Sequence, residues 1–404
     1  MKAVMYGGGN IGRGFIGYLF SASGYEVAFV DVVDTVIERL NRDHAYPIRI
    51  IASEGHTDIQ VENVSAVDGK NPEAVAEAIA EADIMATAVG VNVLKFIIPN
   101  IVLGLKKRKE LGLGAFNIII CENLMDANKV IEKMIKEHLN EEECAWFDEN
   151  IGLVEASIGR MVPVQTDEMK DGDPMRVCVE SYGFLPVDRD AFKGEIPNIR
   201  GMVPFSPFDF YLKRKLYVHN MGHATCAYLG DILGLEYIYE SIDVDEVYLI
   251  VRGAMEESAR ALSKKYGVSL DEILTHVTDL LNRFTNAALK DTCNRVGGDP
   301  ARKLSPADRL IGSSSLALEV GVFPAYIAIG AAAGLRRYLN ETENMTQCAQ
   351  DARKVLTEHC ALEENSALFN LILSTYEDIL AGADLKALRR KADSLVAAKL
   401  ENVI

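Results

Sequence analysis

The first half of the chain alternates two patterns of apolar residues. Short runs that are apolar nearly throughout, "KAVMYG", "EVAFVD", "DIMATAVG" and "FNIIICEN", are separated by stretches with helical spacing. Those stretches are "FIGYLFSASG", "TVIERLNRD", "PEAVAEAIAEA" and "VLKFIIPNIVLGLKKRKELG". A strand with no polar face is buried on both sides, so the alternation predicts a parallel sheet covered by helices. From about 151 to 190 the pattern turns to the strand-like pieces "IGLVEAS" and "MRVCVESYG". A loop with Gly194, Pro197, Gly201, Pro204 and Pro207 follows, the composition of a domain boundary. After about residue 208 most segments read as amphipathic helix, among them "VDEVYLIVRGAMEESARALSKKYG", "LDEILTHVTDLLNRF" and "DLKALRRKADSLVAAKL". An irregular segment, 287–306, interrupts them. The expected fold is therefore α/β plus all-α.

The turn after the first strand sharpens this picture. "YGGGNIGRGFIG" contains Gly7-x-Gly9-x-x-Gly12, and the second strand ends in Asp31, 19 residues beyond Gly12. In that context Gly7 permits a tight turn and Gly9 lets the backbone approach a pyrophosphate. Gly12 lets the helix pack on the strand, and the free N–H groups at the helix start receive the negative charge. Asp31 would accept hydrogen bonds from a ribose 2′-hydroxyl and repel a 2′-phosphate, which favours NAD over NADP. The plainer reading of Asp31 is a solvated strand end. The expected organisation is a Rossmann-type NAD-binding domain over 1–195 and a helical substrate and catalytic domain over 196–404.

Composition narrows the partners. A chain of 404 residues with 49% hydrophobic and 25% charged residues has ample core-forming material. Its formal net charge of −17 argues against nucleic acid and against an anionic membrane surface, and an anionic substrate needs a local basic pocket. The start "MKAVMYGGG" carries no basic leader and apolar core, and "FPAYIAIGAAAGL" (323–335) is too short to span a bilayer and ends in Arg336 and Arg337. A buried helix is expected there. The 7 cysteines, odd in number and without a CxxC pair, suit reduced cytoplasmic thiols and give no zinc signature. A cytoplasmic monomer or small homo-oligomer is expected.

Chemistry concentrates in "KRKLYVHNMGHA", residues 213 to 224. On a regular helix Lys215, His223 and Asn220 project at about 0°, 80° and 140°, one broad face, while Tyr217, Val218 and Met221 point elsewhere. Gly222 costs a helix roughly 1 kcal/mol against Ala, which makes sense if something approaches the backbone closely. A lysine whose pKa is lowered can take the proton of an alcohol, and an asparagine amide can donate to the developing alkoxide. Taken alone, a solvated lysine and a structural histidine remain the plainer reading.

The pattern Lys215-x4-Asn220-x2-His223 does not stand alone. It occurs with "GGGNIGRGFIG", "TAVGVNVLKFIIP" (87–99), "CEN" (121–123), "FKGEIPNIRGM" (192–202), "GAMEES" (253–258) and "RVGGDPARKLSPADRLI" (295–311). Together these resemble the polyol-specific long-chain dehydrogenases, up to about residue 335. The resemblance implies metal-independent hydride transfer with NAD. Lys215 is then the general base, Asn220 and Asn123 hold the alkoxide, and His223 orients the substrate. It further implies that Asn10, Ile11, Ala88 and Val89 join Gly7, Gly9, Gly12 and Asp31 at the cofactor, and that Arg295 and Lys303 contact substrate. Those two cations lie in a segment, 283–309, with six Lys or Arg against three Asp in an otherwise acidic chain.

One position departs. The family usually reads Val-Asp-Arg-Ile-Val-Pro where this chain has "SIGRMVP", with Gly159 in place of the Asp. The change bears on which hydroxyls are recognised more than on the type of reaction. The expected substrates are mannitol 1-phosphate and fructose 6-phosphate. An unphosphorylated polyol such as mannitol, or a keto sugar acid (tagaturonate or fructuronate), is the alternative within the family. A non-catalytic NAD-binding sensor is the alternative of a different class, and the set Asn123, Lys215, Asn220 and His223 argues against it.

Overall fold

Six strands build one parallel sheet, one of them, Val64–Asp68, not singled out by the apolar pattern: β1 (Lys2–Tyr6), β2 (Glu26–Asp31), β3 (Val64–Asp68), β4 (Ile84–Thr87), β5 (Phe116–Ile120) and β6 (Ile151–Glu155). The structure, a computed structural model, describes residues 1–52, 54–124 and 126–401. The strand order is β3-β2-β1-β4-β5-β6, the doubly wound arrangement expected of a Rossmann-type domain. Every residue of β5 is buried, as a strand covered on both faces requires. One face packs on Phe15, Ile16, Leu19 and Phe20, the other on Ile97, Ile101, Leu105 and Ile131.

The order reverses between β1 and β4, which pair from Ala3↔Ile84 to Tyr6↔Thr87. Loops leaving two neighbouring strands in opposite directions open a crevice at the carboxyl ends of the strands. The glycine turn follows β1, and Ala88 and Val89 follow β4.

A smaller sheet braces the glycine turn from behind. Strands Ala45–Ile51 and His56–Glu62 pair antiparallel, and Val177–Val179 adds to the first in parallel. The Tyr46 hydroxyl donates to the Arg13 carbonyl at 2.7 Å. The buried Arg13 side chain donates to the carbonyls of Gly8 and Met175, both at 2.6 Å. A Cβ on Gly14 would stand 2.8 Å from Val177 Cγ1, so the helix after the turn lies directly against this sheet.

The chain divides into two compact units, Met1–Asp209 and Phe210–Ile404. The expected boundary at 195/196 falls inside the first unit, because the Gly- and Pro-rich loop links a paired element. Leu185–Asp188 runs parallel to Met202–Phe205 and hydrogen-bonds to it. Gly201 (φ +74°) passes so close to the Gly183 carbonyl that a Cβ there would lie 2.2 Å from the oxygen.

The second unit is helical. "FPAYIAIGAAAGL" becomes part of the buried helix Ala325–Glu341. Its small residues let other side chains close in: a Cβ on Gly330 would meet Thr225 Oγ1 at 2.3 Å, and one on Gly334 would meet the Tyr228 ring at 3.0 Å. The irregular segment 287–306 contains two short helices, Cys293–Gly297 and Pro300–Lys303. Among the described residues no helix is long and apolar enough to cross a membrane.

Candidate active site

In the first unit the sheet brings the predicted cofactor residues together at the reversal point. Gly7 has φ +103°, and a Cβ on it would stand 2.5 Å from the Ala88 carbonyl oxygen and 3.1 Å from Val89 Cγ1. A Cβ on Gly12 would lie 1.8 Å from the Gly7 carbonyl oxygen, so helix and turn touch backbone to backbone. Around Gly9 there is open space: a Cβ there would meet nothing within 4 Å. The helix starts next to it, with Arg13 N–H bonded to the Gly9 carbonyl at 2.9 Å, and Gly9 and Asn10 are exposed. Ile11 differs from the others, since its side chain is partly buried and packs against the core.

Asp31 is tied to the same turn. Its carboxylate accepts Gly8 N–H at 2.7 Å, Val32 N–H at 2.7 Å and Val33 N–H at 2.9 Å. A Cβ on Gly8 would stand 2.9 Å from Asp31 Oδ2, so the middle glycine of "GGG" is needed as well, a constraint the Gly-x-Gly-x-x-Gly spacing does not carry. Asn123 is exposed just beyond the carboxyl end of β5. The preceding Glu122 reaches back to the loop after β4, accepting Val89 N–H at 2.9 Å and Gly90 N–H at 2.8 Å. The loop of Asn123 is thereby fastened to that of Val89.

Gly159 lies under a ring. A Cβ on it would meet Tyr182 Cε1 at 2.8 Å, so the space of the family's aspartate is bounded here by an aromatic side chain. The next residue, Arg160, is buried and donates to the carbonyls of Tyr182 and, at 2.7 Å, Gly14.

In the second unit the lysine motif departs from a regular helix. Arg214–Asn220 forms a π-helical turn running directly into the α-helix Met221–Leu233. Met221 N–H bonds the Leu216 carbonyl, five residues back. The separation of 140° expected for Lys215 and Asn220 therefore does not apply. In i→i+5 geometry two residues five apart sit one turn apart on the same face, and such turns are frequent at functional sites. Lys215, Asn220 and His223 are partly exposed, whereas Tyr217, Val218, His219, Met221 and Gly222 are buried. What approaches Gly222 is a side chain: a Cβ would stand 2.6 Å from Met255 Cγ and Sδ. His219, unassigned by its sequence position, is a core residue. Burial, with Arg283, His223, His276 and Lys215 around it, pushes its imidazole well below the usual range.

His223 stacks on Phe284, with ring centroids 4.7 Å apart and planes 13° apart. Its Nε2 faces Asp291 Oδ2 at 3.3 Å. The other Asp291 oxygen accepts from Arg295, Nε at 2.8 Å and Nη2 at 2.5 Å. Burial alone would raise the Asp291 carboxyl, but His223 and Arg295 outweigh it and hold it below the ordinary carboxylate range. One buried acid thus joins two predicted substrate residues. The sequence offered no signal for it, because spacing along a chain does not reveal which acid a distant histidine faces.

Lys303 ends the short helix Pro300–Lys303 and is buried. The Tyr217 hydroxyl donates to the Ala307 carbonyl at 3.2 Å, fastening this segment to the helix of Lys215. Among the described residues no carboxylate lies within 4 Å of the Lys303 ammonium. Burial first, then the charges of Arg309 and Arg302, bring it down to about 8.

Family models decide the kinship. Residues 1–201 match the mannitol dehydrogenase Rossmann domain, and residues 208–387 match the mannitol dehydrogenase C-terminal domain. The chain belongs to the mannitol dehydrogenase family. The match extends past residue 335, where the recognisable motifs end. Among solved structures, a D-sorbitol dehydrogenase in substrate-free form is similar with a TM-score of 0.78 at 15% identity, over 96% of this chain and 94% of that one. The Pseudomonas fluorescens mannitol 2-dehydrogenase, in a ternary complex with NAD and D-mannitol, is similar with a TM-score of 0.72 at 14% identity, over 98% of this chain and 94% of that one. At such identities the likeness is one of fold.

Proposed function

We propose that this member of the mannitol dehydrogenase family is an NAD-dependent enzyme that interconverts mannitol 1-phosphate and fructose 6-phosphate. The observation that carries the reading is the π turn, which sets Lys215 and Asn220 one turn apart on one face. That is where a base and an alkoxide donor serving one carbinol must stand.

The residues of the first unit fit a dinucleotide. The open backbone at Gly9 and the helix start beside it suit a pyrophosphate, and the Asp31 carboxylate suits a ribose diol. Val32 and Val33, 56% and 50% exposed, offer apolar surface for an adenine beside that ribose. Bound NAD supplies the hydride acceptor. Lys215, when neutral, takes the hydroxyl proton of the polyol, so oxidation quickens as pH rises. Asn220 and Asn123 donate amide N–H groups to the alkoxide oxygen. Among the described residues the Asn220 side chain makes no hydrogen bond, which leaves its amide available. His223, steadied by Phe284 and Asp291, orients a substrate hydroxyl, with Arg295 beside it. Lys303, a buried cation with no carboxylate within 4 Å among the described residues, suits an anionic substrate.

A second reading, an unphosphorylated polyol or a keto sugar acid, is favoured by Gly159 beneath Tyr182, which replaces a carboxylate with a ring edge. A sensor that binds NAD without chemistry has no use for a base beside an oxyanion donor.

Initial rates with NADH on fructose 6-phosphate, fructose, tagaturonate and fructuronate separate these readings. Fructose 6-phosphate is expected to be preferred, and a preference for fructose or a keto acid overturns the phosphate reading. Near-normal turnover by Lys215→Ala would remove the lysine from its role.

A further inference from the structure

The helix Asp245–Tyr266 buries one face in the core of the second unit and turns the other into a groove of about 990 Å³. None of the residues lining the groove is a predicted site residue. Its trough is apolar, built from Leu249, Leu318, Val322, Phe323 and Val396. Leu249 is left 42% exposed on the helix surface. A concavity of this size with an apolar floor and a few polar groups has the form of a small-molecule site.

The polar groups around the trough include four cations, Arg252, Arg260, Lys264 and Lys399, against two carboxylates, Glu256 and Glu257. One carboxylate, Glu256, is shared by the two arginines, at 2.8 Å from Arg252 and 3.1 Å from Arg260. Lys264 donates to the carbonyls of Val320 and Gly321, at 3.3 and 3.4 Å, and Lys399 Nζ stands over the Phe323 ring, 5.3 Å from its centroid. Among the described residues neither lysine lies within 4 Å of a carboxylate. The other acid in the wall, Glu257, is buried and accepts the N–H groups of Tyr326 and Ile327, both at 3.0 Å, so its oxygens are engaged at a helix start. In a chain of net charge −17 this is a local surplus of positive charge over an apolar floor. A sugar phosphate matches the cations but not the trough, and a neutral lipid matches the trough but not the cations.

The last helix, Leu385–Glu401, is held along its first half. Arg389 pairs with Glu246 at 2.5 Å, Lys391 pairs with Asp378 at 2.5 Å, and Asp393 accepts the Tyr326 hydroxyl. The groove lies beyond these ties, beside Val396 and Lys399, where one side remains open to solvent.

We propose that this groove binds an amphiphilic anion, a free small molecule whose hydrocarbon body lies along Leu249, Leu318, Val322 and Phe323 and whose carboxylate, sulfonate or phosphate head sits among Arg252, Arg260, Lys264 and Lys399. Burying the chain supplies most of the affinity, and the cations select the sign of the head group.

Calorimetric titration of the full chain, saturated with NAD, with decanoate tests this. One saturable site per chain is expected, with decyltrimethylammonium binding at least tenfold more weakly. Arg260→Glu is expected to weaken decanoate binding at least tenfold while leaving NADH affinity and the KM for fructose 6-phosphate unchanged. Lys399→Glu, on the exposed side of the last helix, repeats the test should the first variant not fold. Equal affinity for the cationic amphiphile, or decanoate binding unchanged in both variants, overturns the proposal. So does sedimentation with phosphatidylglycerol vesicles, or self-association lost in Lys399→Glu, when either occurs without saturable decanoate binding.

Discussion

Asp291→Asn tests the link between the histidine and the arginine. The Asp291 side chain is 9% exposed and meets His223 at 3.3 Å, while its other oxygen meets an Arg295 side chain that is 55% exposed. A hydrogen bond to a charged group contributes about 1.5–3 kcal/mol. The arginine half of the contact is discounted to at most about 1 kcal/mol, because water replaces the carboxylate on an exposed guanidinium. Asparagine also relieves the cost of burying a charge and keeps one acceptor, so the net loss of stability is about 1–2 kcal/mol. The larger effect falls on the reaction. If the His223 contact is realised when substrate is held, its loss lowers kcat/KM about ten- to a hundredfold. Steady-state reduction of fructose 6-phosphate at saturating NADH measures this, and NADH affinity should not change, since the contacts Asp291 makes are to His223 and Arg295 of its own unit. Asp291→Asn and His223→Ala should also be strongly non-additive, because they cut the same contact. A kcat/KM within threefold of the unsubstituted chain, or two fully additive losses, would refute the coupling.

Three further outcomes follow from groups whose surroundings are defined. Lys303, brought to about 8 by burial and by Arg309 and Arg302, is expected to lose its charge above that pH. The KM for fructose 6-phosphate then rises by up to about tenfold per pH unit, and a flat KM between pH 7 and 9.5, or an equal rise in Lys303→Met, contradicts this. The imidazole of His219 is held neutral by burial and by the cations near it, whereas in the unfolded chain it takes up a proton near its ordinary pKa of about 6.5. Its contribution is therefore complete above about pH 6.5 and is lost as pH falls below it, by up to about 1.4 kcal/mol per pH unit. Urea midpoints between pH 7.5 and 5 should fall less steeply for His219→Gln, and parallel profiles would count against the assignment. Gly222→Ala gains about 1 kcal/mol of helix propensity but forces a methyl onto Met255, at a cost of about 1–3 kcal/mol. A net loss is expected, reversing to a gain when Met255 is also replaced by Ala, and denaturant melts of the four chains decide it.

The parts of this molecule that could be read from the sequence are those that depend on neighbours along the chain. The apolar runs marked β1, β2, β4 and β5, and their parallel pairing follows from the β–α alternation. The glycine turn was legible because tight turns demand residues without side chains at fixed offsets, and the run 323–335 was legible because a weakly polar helix must be buried. The π turn at Arg214–Asn220 was not, because a wheel drawn at a fixed angle assumes the hydrogen-bond pattern it is meant to reveal. The division into compact units differs from the expected boundary for a related reason. Glycine and proline mark a loop, but whether a loop lies inside a unit depends on the strand pairing at its ends, here Leu185–Asp188 with Met202–Phe205.

The sequence by itself determined the chemistry available to this protein: a dinucleotide turn with an acid after the next strand, and a lysine, an asparagine and a histidine within nine residues of one another. Only the tertiary structure decided how those groups are held. Asp291 between His223 and Arg295, Met255 against Gly222, Tyr182 over Gly159 and Glu122 on the loop after β4 are all contacts between distant segments. Their energies depend on distance and burial, and neither quantity exists until the chain has packed.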